Sequence, residues 1–200
     1  MSKDKGDVFS RVLAVAALVV ALFGGIPGAH ALYEKWQDKN ALELPATPNV
    51  YVSGRFAPGC FMGLDTSKHI YGWSHATSDG TLRIQYPGEV SWGAWFVTAG
   101  KASSDPSARK HMDFSAYAKL YLELKGQRGT TIDVTVKDRY NPDDGSETRH
   151  PITFQSDDWE THVVDLARFR EADLEKLNVV VCFVFGTNPQ TLEVRKVQYQ

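Results

Sequence analysis

Apolar and polar residues alternate one by one in two stretches in the middle of the chain, residues 120–125 (LYLELK) and 132–137 (IDVTVK). Successive side chains of a β-strand point to opposite faces, so each stretch predicts a strand with one buried and one wetter face. Two neighbouring strands of this kind indicate an antiparallel sheet of a β-sandwich. On this interpretation one polar face carries Tyr121, Glu123, Asp133 and Lys137 together.

Short β-rich runs with turn residues between them extend this pattern over most of the chain. The strand candidates are Val50–Phe56, His69–Ser74, Thr81–Tyr86, Ser91–Thr98, Ala118–Lys125, Thr130–Asp138, His150–Gln155, Glu160–Leu166, Asn178–Phe185 and Thr191–Tyr199. Residues 179–185 are apolar on both faces, which predicts a central strand covered on both sides. Residues 166–177 (LARFREADLEKL) predict a short helix.

An uncharged segment, residues 12–29 (VLAVAALVVALFGGIPGA), lies near the N-terminus. As a helix it spans about 27 Å, close to the hydrocarbon thickness of a bilayer. Lys3, Lys5 and Arg11 before it favour an N-terminus in the cytoplasm. The rival interpretation is a signal peptide cleaved near Ala31, because Ala-His-Ala at 29–31 fits a signal-peptidase site. Both interpretations place the rest of the chain on the extracytoplasmic side, in the periplasm or at the cell surface.

These features divide the chain into three parts. Residues 1–31 are expected to form a signal anchor or a signal peptide, and residues 32–49 a stalk in which prolines disfavour regular structure. With 200 residues the chain is long enough for one full domain, which we expect over residues 50–200.

The two cysteines, Cys60 and Cys182, are too few for a disulfide-stapled scaffold or a structural zinc site. They are either buried free thiols that act as small hydrophobic side chains or one disulfide bridge, which an oxidising compartment permits. The sequence leaves both alternatives open.

A net charge of −2 without a basic stripe argues against nucleic acid as a partner. The sequence has no P-loop, GxGxxG, GxSxG or HExxH motif, and its histidines are scattered without metal-ligand spacing. Asp157 and Asp158 stand at a turn before Trp159, and we do not expect them to act as an acid–base pair. We therefore expect no enzyme, with no catalytic residue, no metal and no cofactor.

Several segments, in this order, resemble motifs of the galactose-binding-like jelly-roll domains found among carbohydrate-binding modules. They are residues 57–63 (APGCFMG), 80–87 (GTLRIQYP), 92–96 (WGAWF), 112–120 (MDFSAYAKL) and 158–166 (DWETHVVDL). The resemblance implies an all-β jelly-roll sandwich, preceded here by one N-terminal apolar helix, with a ligand site on a concave sheet face. Arg195 stands where these modules commonly carry an aspartate that helps to hold calcium, and a guanidinium offers no oxygen ligand.

Sugar-binding clefts stack pyranose rings on aromatic side chains and bond the hydroxyl groups with polar ones. The residues predicted to bind a ligand in this way are Trp73, Trp95, Tyr121, Glu123, Asp133, Lys137, Arg139 and Tyr140, with Trp92 as a further candidate. We therefore expect a non-catalytic extracytoplasmic module that recognises carbohydrate. The same fold also serves protein–protein contacts, so the alternative is an assembly subunit with an envelope or membrane protein as its partner.

Overall fold

The structure of the protein is a computed structural model that describes residues 42–65, 72–88, 92–141 and 144–200. The apolar segment 12–29 and the cleavage site near Ala31 lie outside these residues, as does the first half of the strand expected at His69–Ser74. In the described part of the chain, no helix has the length and apolar character needed to cross a bilayer.

Two seven-stranded sheets pack on a common core and form a β-sandwich. The strand order in sheet I is β4 (Cys60–Leu64), β7 (Gly93–Ala99), β13 (Leu177–Phe185), β10 (Thr131–Asp138) and β11 (His150–Thr153). The start of β13 also pairs with β8 (His111–Met112), and β8 pairs with β1 (Glu43–Leu44). Sheet II contains β12 (Glu160–Asp165), β9 (Lys119–Lys125), β14 (Gln190–Tyr199), β6 (Thr81–Tyr86), β5 (Ser74–Ser78), β2 (Asn49–Val52) and β3 (Arg55–Phe56). The strands pair antiparallel, apart from the short parallel pair of β1 with β8.

The alternation predicted for the two central stretches is confirmed. Leu120, Leu122 and Leu124 of β9 and Ile132 and Val134 of β10 are all buried in the core. The expectation that the two strands are neighbours is wrong, because β9 pairs with β12 and β14 in sheet II while β10 pairs with β11 and β13 in sheet I. Alternation shows which side of a strand is buried, but it carries no information about the partner strand. The connection over residues 126–130 crosses from one sheet to the other.

The apolar run near the C-terminus forms the centre of sheet I, as predicted. Strand β13 pairs with β7 on one side and with β10 on the other, and every residue in it except the half-buried Val179 is buried. A strand that is covered on both faces needs apolar residues at successive positions, which is the pattern the sequence has.

The domain begins before the predicted boundary at residue 50. Strand β1 lies within the predicted stalk, and the carbonyl of Leu42 accepts a hydrogen bond from the backbone N–H of His111 at 2.7 Å. Strand β2 follows from Asn49. Prolines interrupt the chain between the two strands, yet both strands pair within the sandwich.

The segment expected to form a helix, residues 166–177, contains two 3₁₀ turns, Leu166–Arg168 and Leu174–Lys176. Leu166 and Phe169 are buried at its start, and Leu177 is buried at its end, where β13 begins. The segment connects sheet II to sheet I, and it is anchored in the core separately at each end. Its helical spacing is therefore not realised as one helix.

Cys60 and Cys182 are unbridged thiols on opposite faces of sheet I. Cys60 belongs to the core of the sandwich, whereas Cys182 packs with Ala94 and Val184 on the outer face. Burial raises the pKa of Cys60 to about 11 and that of Cys182 to about 12. Both are thus protonated, buried side chains, which is the first of the two alternatives left open by the sequence.

Candidate functional site

The outer face of sheet I, turned away from the core, carries an apolar strip across two central strands. Ala94 and Phe96 of β7 and Cys182 and Val184 of β13 point outward, because the residues between them face the core. The register places Phe96 beside Cys182 and Ala94 beside Val184. The outer face of a sandwich is ordinarily polar, so an apolar strip there is a feature of ligand or partner surfaces.

Phe96 reaches across to the edge strand β4, where it lies over Gly63, its partner in the register. A Cβ atom at Gly63 would collide with the Cε2 and Cζ atoms of the Phe96 ring. The absence of a side chain at this one position therefore gives the ring the space in which it lies half-buried.

Two loops beside this strip help to form a cleft of about 610 Å³, which we call the sheet I cleft. Its lining comes from the loop at 102–109, the loop at 144–147, the end of β4 and the start of β7. The floor is apolar and consists of Ala94, Phe96, Val179, Cys182 and Val184. The remaining lining includes Trp92 and the polar residues Asp65, Thr98, Ser103, Arg109, Lys137, Asp144, Glu147 and Asn178.

A network of charges centred on Glu147 lies at the cleft. Oε1 of Glu147 accepts hydrogen bonds from Nη2 and Nε of Arg149 at 2.9 and 3.1 Å. Its Oε2 lies 3.6 Å from Nζ of Lys137. The guanidinium carbon of Arg149 lies 5.6 Å from the centroid of the Trp92 ring, within the range of a cation–π contact. One carboxylate thus connects two lining residues of the cleft, Lys137 directly and Trp92 through Arg149.

The loop that carries Glu147 is fixed to the sheet beneath it. The hydroxyl of Thr135 in β10 donates a hydrogen bond to the carbonyl of Thr148 at 2.7 Å. Asp144 accepts a hydrogen bond from the backbone N–H of Ser146 at 3.0 Å, and bonding to this serine lowers the pKa of the Asp144 carboxyl. Asp144 is therefore a stably ionised acceptor at the rim of the cleft.

Two buried arginines hold the opposite loop. Arg109 donates from Nε to the carbonyl of Ser103 at 3.0 Å, and Arg139 donates from Nη2 to the carbonyl of Ser107 at 3.0 Å. Both side chains are buried, and they bond backbone carbonyls of this loop, which contains one short 3₁₀ turn, Pro106–Ala108. These contacts keep the second loop of the cleft in one conformation.

The structure separates the four residues predicted to share one polar face. Tyr121 and Glu123 lie on the outer face of sheet II, whereas Asp133 and Lys137 lie on the outer face of sheet I. Lys137 lines the cleft, and Asp133 stands beside Val184 on the same face. The prediction of one common face is wrong for the reason given above, since the chain crosses between sheets after β9.

Two of the predicted tryptophans lie between the sheets. Trp95 is 1% exposed and stacks on Phe183 at a centroid distance of 5.7 Å. Trp73 packs on Tyr86 and Phe185 at centroid distances of 4.8 and 5.7 Å. We assign both rings to the core and leave them out of the candidate site.

The last two predicted residues, Arg139 and Tyr140, follow β10. Arg139 is buried and ties down the loop at 102–109, as described above. Tyr140 is 62% exposed, and its ring is contacted by the guanidinium of Arg139 at 5.2 Å. Neither residue is part of the described lining of the cleft.

Sequence analysis missed Phe96, Glu147 and Arg149. A signal for Phe96 was present, because Trp95 and Phe96 are adjacent in a strand and two adjacent side chains cannot both face the core. Glu147 and Arg149 lie in a turn-rich stretch, and nothing in their spacing predicts that they meet Lys137 and Trp92.

The residue predicted to exclude calcium, Arg195, makes contacts of another kind. Its guanidinium carbon lies 3.9 Å from the centroid of the Trp159 ring, and its Nη1 lies 3.7 Å from Oε1 of Glu123. Across the four described ranges, no group of three His, Cys, Asp or Glu side chains is arranged to hold a metal ion.

No protein-family model and no curated protein matches the sequence. Among solved structures, PfGH50B matches with a TM-score of 0.52 and 10% identity over 70% of this chain and 22% of its own. An exo-beta-agarase matches with a TM-score of 0.51 and 10% identity over 77% of this chain and 25% of its own. The family 30 carbohydrate-binding module of a cellulosomal cellulase of Clostridium thermocellum has a TM-score of 0.46 and 18% identity, over 78% of this chain and 94% of the module.

At these identities the likeness is one of fold. The match covers 25% of the agarase and 22% of PfGH50B. This chain therefore corresponds to one part of each of those proteins. The predicted β-sandwich is confirmed, and carbohydrate-binding modules are among the solved structures similar to it.

Proposed function

We propose that this domain is a non-catalytic module that binds carbohydrate in the sheet I cleft. The observation that carries the proposal is an apolar floor with two half-buried aromatic rings, Phe96 and Trp92, inside a rim of fixed polar side chains. A pyranose ring has apolar faces and a rim of hydroxyl groups, and sites for it combine these two kinds of surface. The likeness of fold to part of an exo-beta-agarase supports a polysaccharide as the ligand class.

In this proposal the apolar face of a sugar ring packs on Phe96, with Trp92 next to it. Hydroxyl groups both donate and accept hydrogen bonds, so they suit a rim that offers cations and carboxylates side by side. Lys137 is the proposed donor, and the ionised Asp144 is the proposed acceptor. The buried loop contacts mean that little ordering is needed when the ligand binds.

The state of two of the cleft carboxylates, Asp144 and Glu147, supports binding over catalysis. Glycoside hydrolysis needs a carboxylic acid whose pKa is raised so that it can donate a proton. Hydrogen bonding to Ser146 moves the pKa of Asp144 in the opposite direction. Glu147 is already engaged by Lys137 and Arg149. We therefore propose a module without enzymatic activity.

Isothermal titration calorimetry of the full chain against soluble polysaccharides, among them agarose oligosaccharides and hydroxyethyl cellulose, tests the proposal. We expect saturable binding to at least one, and an affinity at least about tenfold weaker in Phe96→Ala because an aromatic stacking partner is lost. Tyr121→Ala, on the outer face of sheet II, is the matched control and keeps the affinity of the parent chain.

The absence of binding to every glycan would overturn the proposal, and so would a loss caused by Tyr121→Ala but not by Phe96→Ala. An envelope or membrane protein that co-purifies at a fixed ratio, without any glycan binding, would support the alternative of an assembly subunit. Circular dichroism and thermal unfolding of each variant separate a lost site from a lost fold.

We also propose that the module works on the extracytoplasmic side of a membrane. The support is the sequence alone, namely the uncharged segment 12–29 and the positive charges before it. Protease added to intact cells or spheroplasts should degrade the domain if this is correct, whereas protection until lysis would contradict it. The size of the mature chain then separates a retained anchor from cleavage near Ala31.

A further inference from the structure

We infer that Glu147 is the positioning residue of the sheet I cleft, since its carboxylate holds Lys137 and, through Arg149, the ring of Trp92 in the arrangement that receives the ligand. The inference rests on the proposed function and deepens it, because it names the residue on which the geometry of the site depends. Glu147 acts through its neighbours and is not itself assigned a contact with the sugar.

The two oxygens of Glu147 serve two cations from different parts of the chain. Oε2 faces Lys137, which comes from strand β10, while Oε1 accepts two hydrogen bonds from Arg149, which directly precedes β11. A charged donor and a charged acceptor make stronger hydrogen bonds than neutral groups do. The carboxylate therefore fixes the distance between the sheet and the loop above it.

The burial of Glu147 makes it the determining member of this group. Its side chain is 9% exposed, compared with 12% for Lys137 and 25% for Arg149. Removing the carboxylate takes away the anion that both cations contact, so the strand that carries Lys137 and the loop that carries Arg149 lose this link. Glu147, Lys137 and Cys182 all line the same cleft.

The second step runs from Arg149 to Trp92. The guanidinium of Arg149 is held by Glu147 and by the carbonyl of Gly145 at 3.2 Å, and in this position it stacks on the Trp92 ring. A cation–π contact favours one placement of the ring over others. Stacking of a sugar on an aromatic ring depends on the position of the ring. A displacement of Arg149 that moves the Trp92 ring should therefore weaken sugar binding.

The chain offers a matched control on its other face. Glu123, Arg195 and Trp159 repeat the same three residue types on the outer face of sheet II, with an ion-pair distance of 3.7 Å and a stacking distance of 3.9 Å. These side chains are more exposed, with 34% for Glu123 and 47% for Arg195. Glu123→Gln therefore removes the same chemical group from a site that is not part of the proposed cleft.

Acrylamide quenching of tryptophan fluorescence tests the positioning step without any glycan. The contribution of Trp92 is obtained by subtracting the signal of Trp92→Phe from that of the parent chain, and the same subtraction is made with Glu147→Gln in both. We expect the quenching constant of Trp92 to rise about twofold in Glu147→Gln, because its ring loses a fixed cation partner. In an Arg149→Met background the rise should disappear, which a merely structural role of Glu147 would not explain.

Titration with agarose oligosaccharides and hydroxyethyl cellulose tests the functional step. We expect Glu147→Gln to weaken binding about tenfold and Glu123→Gln to leave it unchanged, in line with the loss of a charge-assisted contact in a buried network. If Glu147→Gln does not fold, Arg149→Met with Glu147 intact tests the same connection.

The outcomes of the two measurements are distinguishable. Trp92 quenching that stays the same in folded Glu147→Gln overturns the inference, and so does equal weakening of glycan binding by Glu147→Gln and Glu123→Gln. A rise in Trp92 quenching in a chain that binds neither glycan upholds the positioning role of Glu147 and contradicts the proposed function.

Discussion

The two outer faces of the sandwich carry the same chemical set, a glutamate, an arginine and a tryptophan, in different surroundings. On sheet I the set is Glu147, Arg149 and Trp92, and its glutamate is 9% exposed at the lining of a cleft. On sheet II the set is Glu123, Arg195 and Trp159, and its glutamate is 34% exposed. The same contacts therefore lie at a cleft on one face and on a more solvated surface on the other.

The neighbours of each set explain the difference. On sheet II, Lys196 stands beside Glu123 in the register and Glu193 stands beside Lys125, so opposite charges neutralise one another in water. On sheet I the corresponding positions of the central strands are apolar, and loops cover their edges. Residue types alone do not distinguish a site from a surface, whereas the burial of the residues around them does.

The largest expected effect on stability comes from a substitution in the core, which lies between the two sheets. Trp95→Ala should lower the free energy of unfolding by about 3–5 kcal/mol, because it removes a fully buried ring that stacks on Phe183. Trp159→Ala, on the outer face of sheet II, should cost less than about 1 kcal/mol. Urea unfolding followed by circular dichroism measures both changes. Similar values for the two variants would contradict the placement of Trp95 in the core.

The next largest effect on stability compares the two glutamates directly. Glu147→Gln should lower the free energy of unfolding by about 1–3 kcal/mol, because it removes a buried carboxylate that pairs with both Arg149 and Lys137. Glu123→Gln should lower it by no more than about 1 kcal/mol, since exposed ion pairs contribute little. Chemical unfolding of both variants at low and at high salt tests this prediction. Added salt should reduce the effect of Glu123→Gln more than that of Glu147→Gln, because salt screens exposed charges more strongly. Equal effects would remove the distinction between the faces.

Much of this fold was predictable because burial leaves a trace in the sequence. The leucines of β9 and the apolar run of β13 were predicted as a one-sided strand and a two-sided strand, and both predictions are confirmed. The partner of β9 was not predictable, since its inward leucines fit the core equally well from either sheet. Because the partner of β9 was unknown, Tyr121 and Glu123 were predicted on the same face as Asp133 and Lys137, which is wrong.

The candidate site was harder to predict, because it depends on contacts between distant residues. Lys137 was predicted and lines the cleft, but its partner Glu147 comes from a loop whose course no periodicity describes. Trp92 was a further candidate, while Trp95 was chosen in place of its neighbour Phe96. Alternation shows that one of these two rings must face outward, and the structure shows which one, because Trp95 is buried on Phe183 and Phe96 packs over Gly63.

A smaller loss of glycan affinity is expected from a single methyl group added under the Phe96 ring. Gly63→Ala should weaken glycan binding by about threefold to tenfold and cost about 1 kcal/mol of stability, because the new Cβ displaces the Phe96 ring. Gly186→Ala is the control, since an added Cβ there meets no atom within 4 Å. Calorimetric titration and thermal unfolding of the two variants measure the difference. Unchanged binding in Gly63→Ala would mean that the position of Phe96 does not matter to the ligand.

The smallest expected effect is a pH dependence of stability to which both sheets contribute. Burial lowers the pKa of His111 in sheet I, and it lowers the pKa of His162 in sheet II against the opposing influence of the Glu160 carboxylate. An unfolded histidine has a pKa of about 6.5, so below this pH the unfolded chain binds more protons and the folded state loses stability. Urea unfolding at pH 7.5 and 5.5 should show a lower midpoint at pH 5.5, above the range in which the carboxylates titrate. His111→Gln and His162→Gln should each remove part of this shift, and a shift that depends on only one of them would assign the pH sensitivity to one sheet.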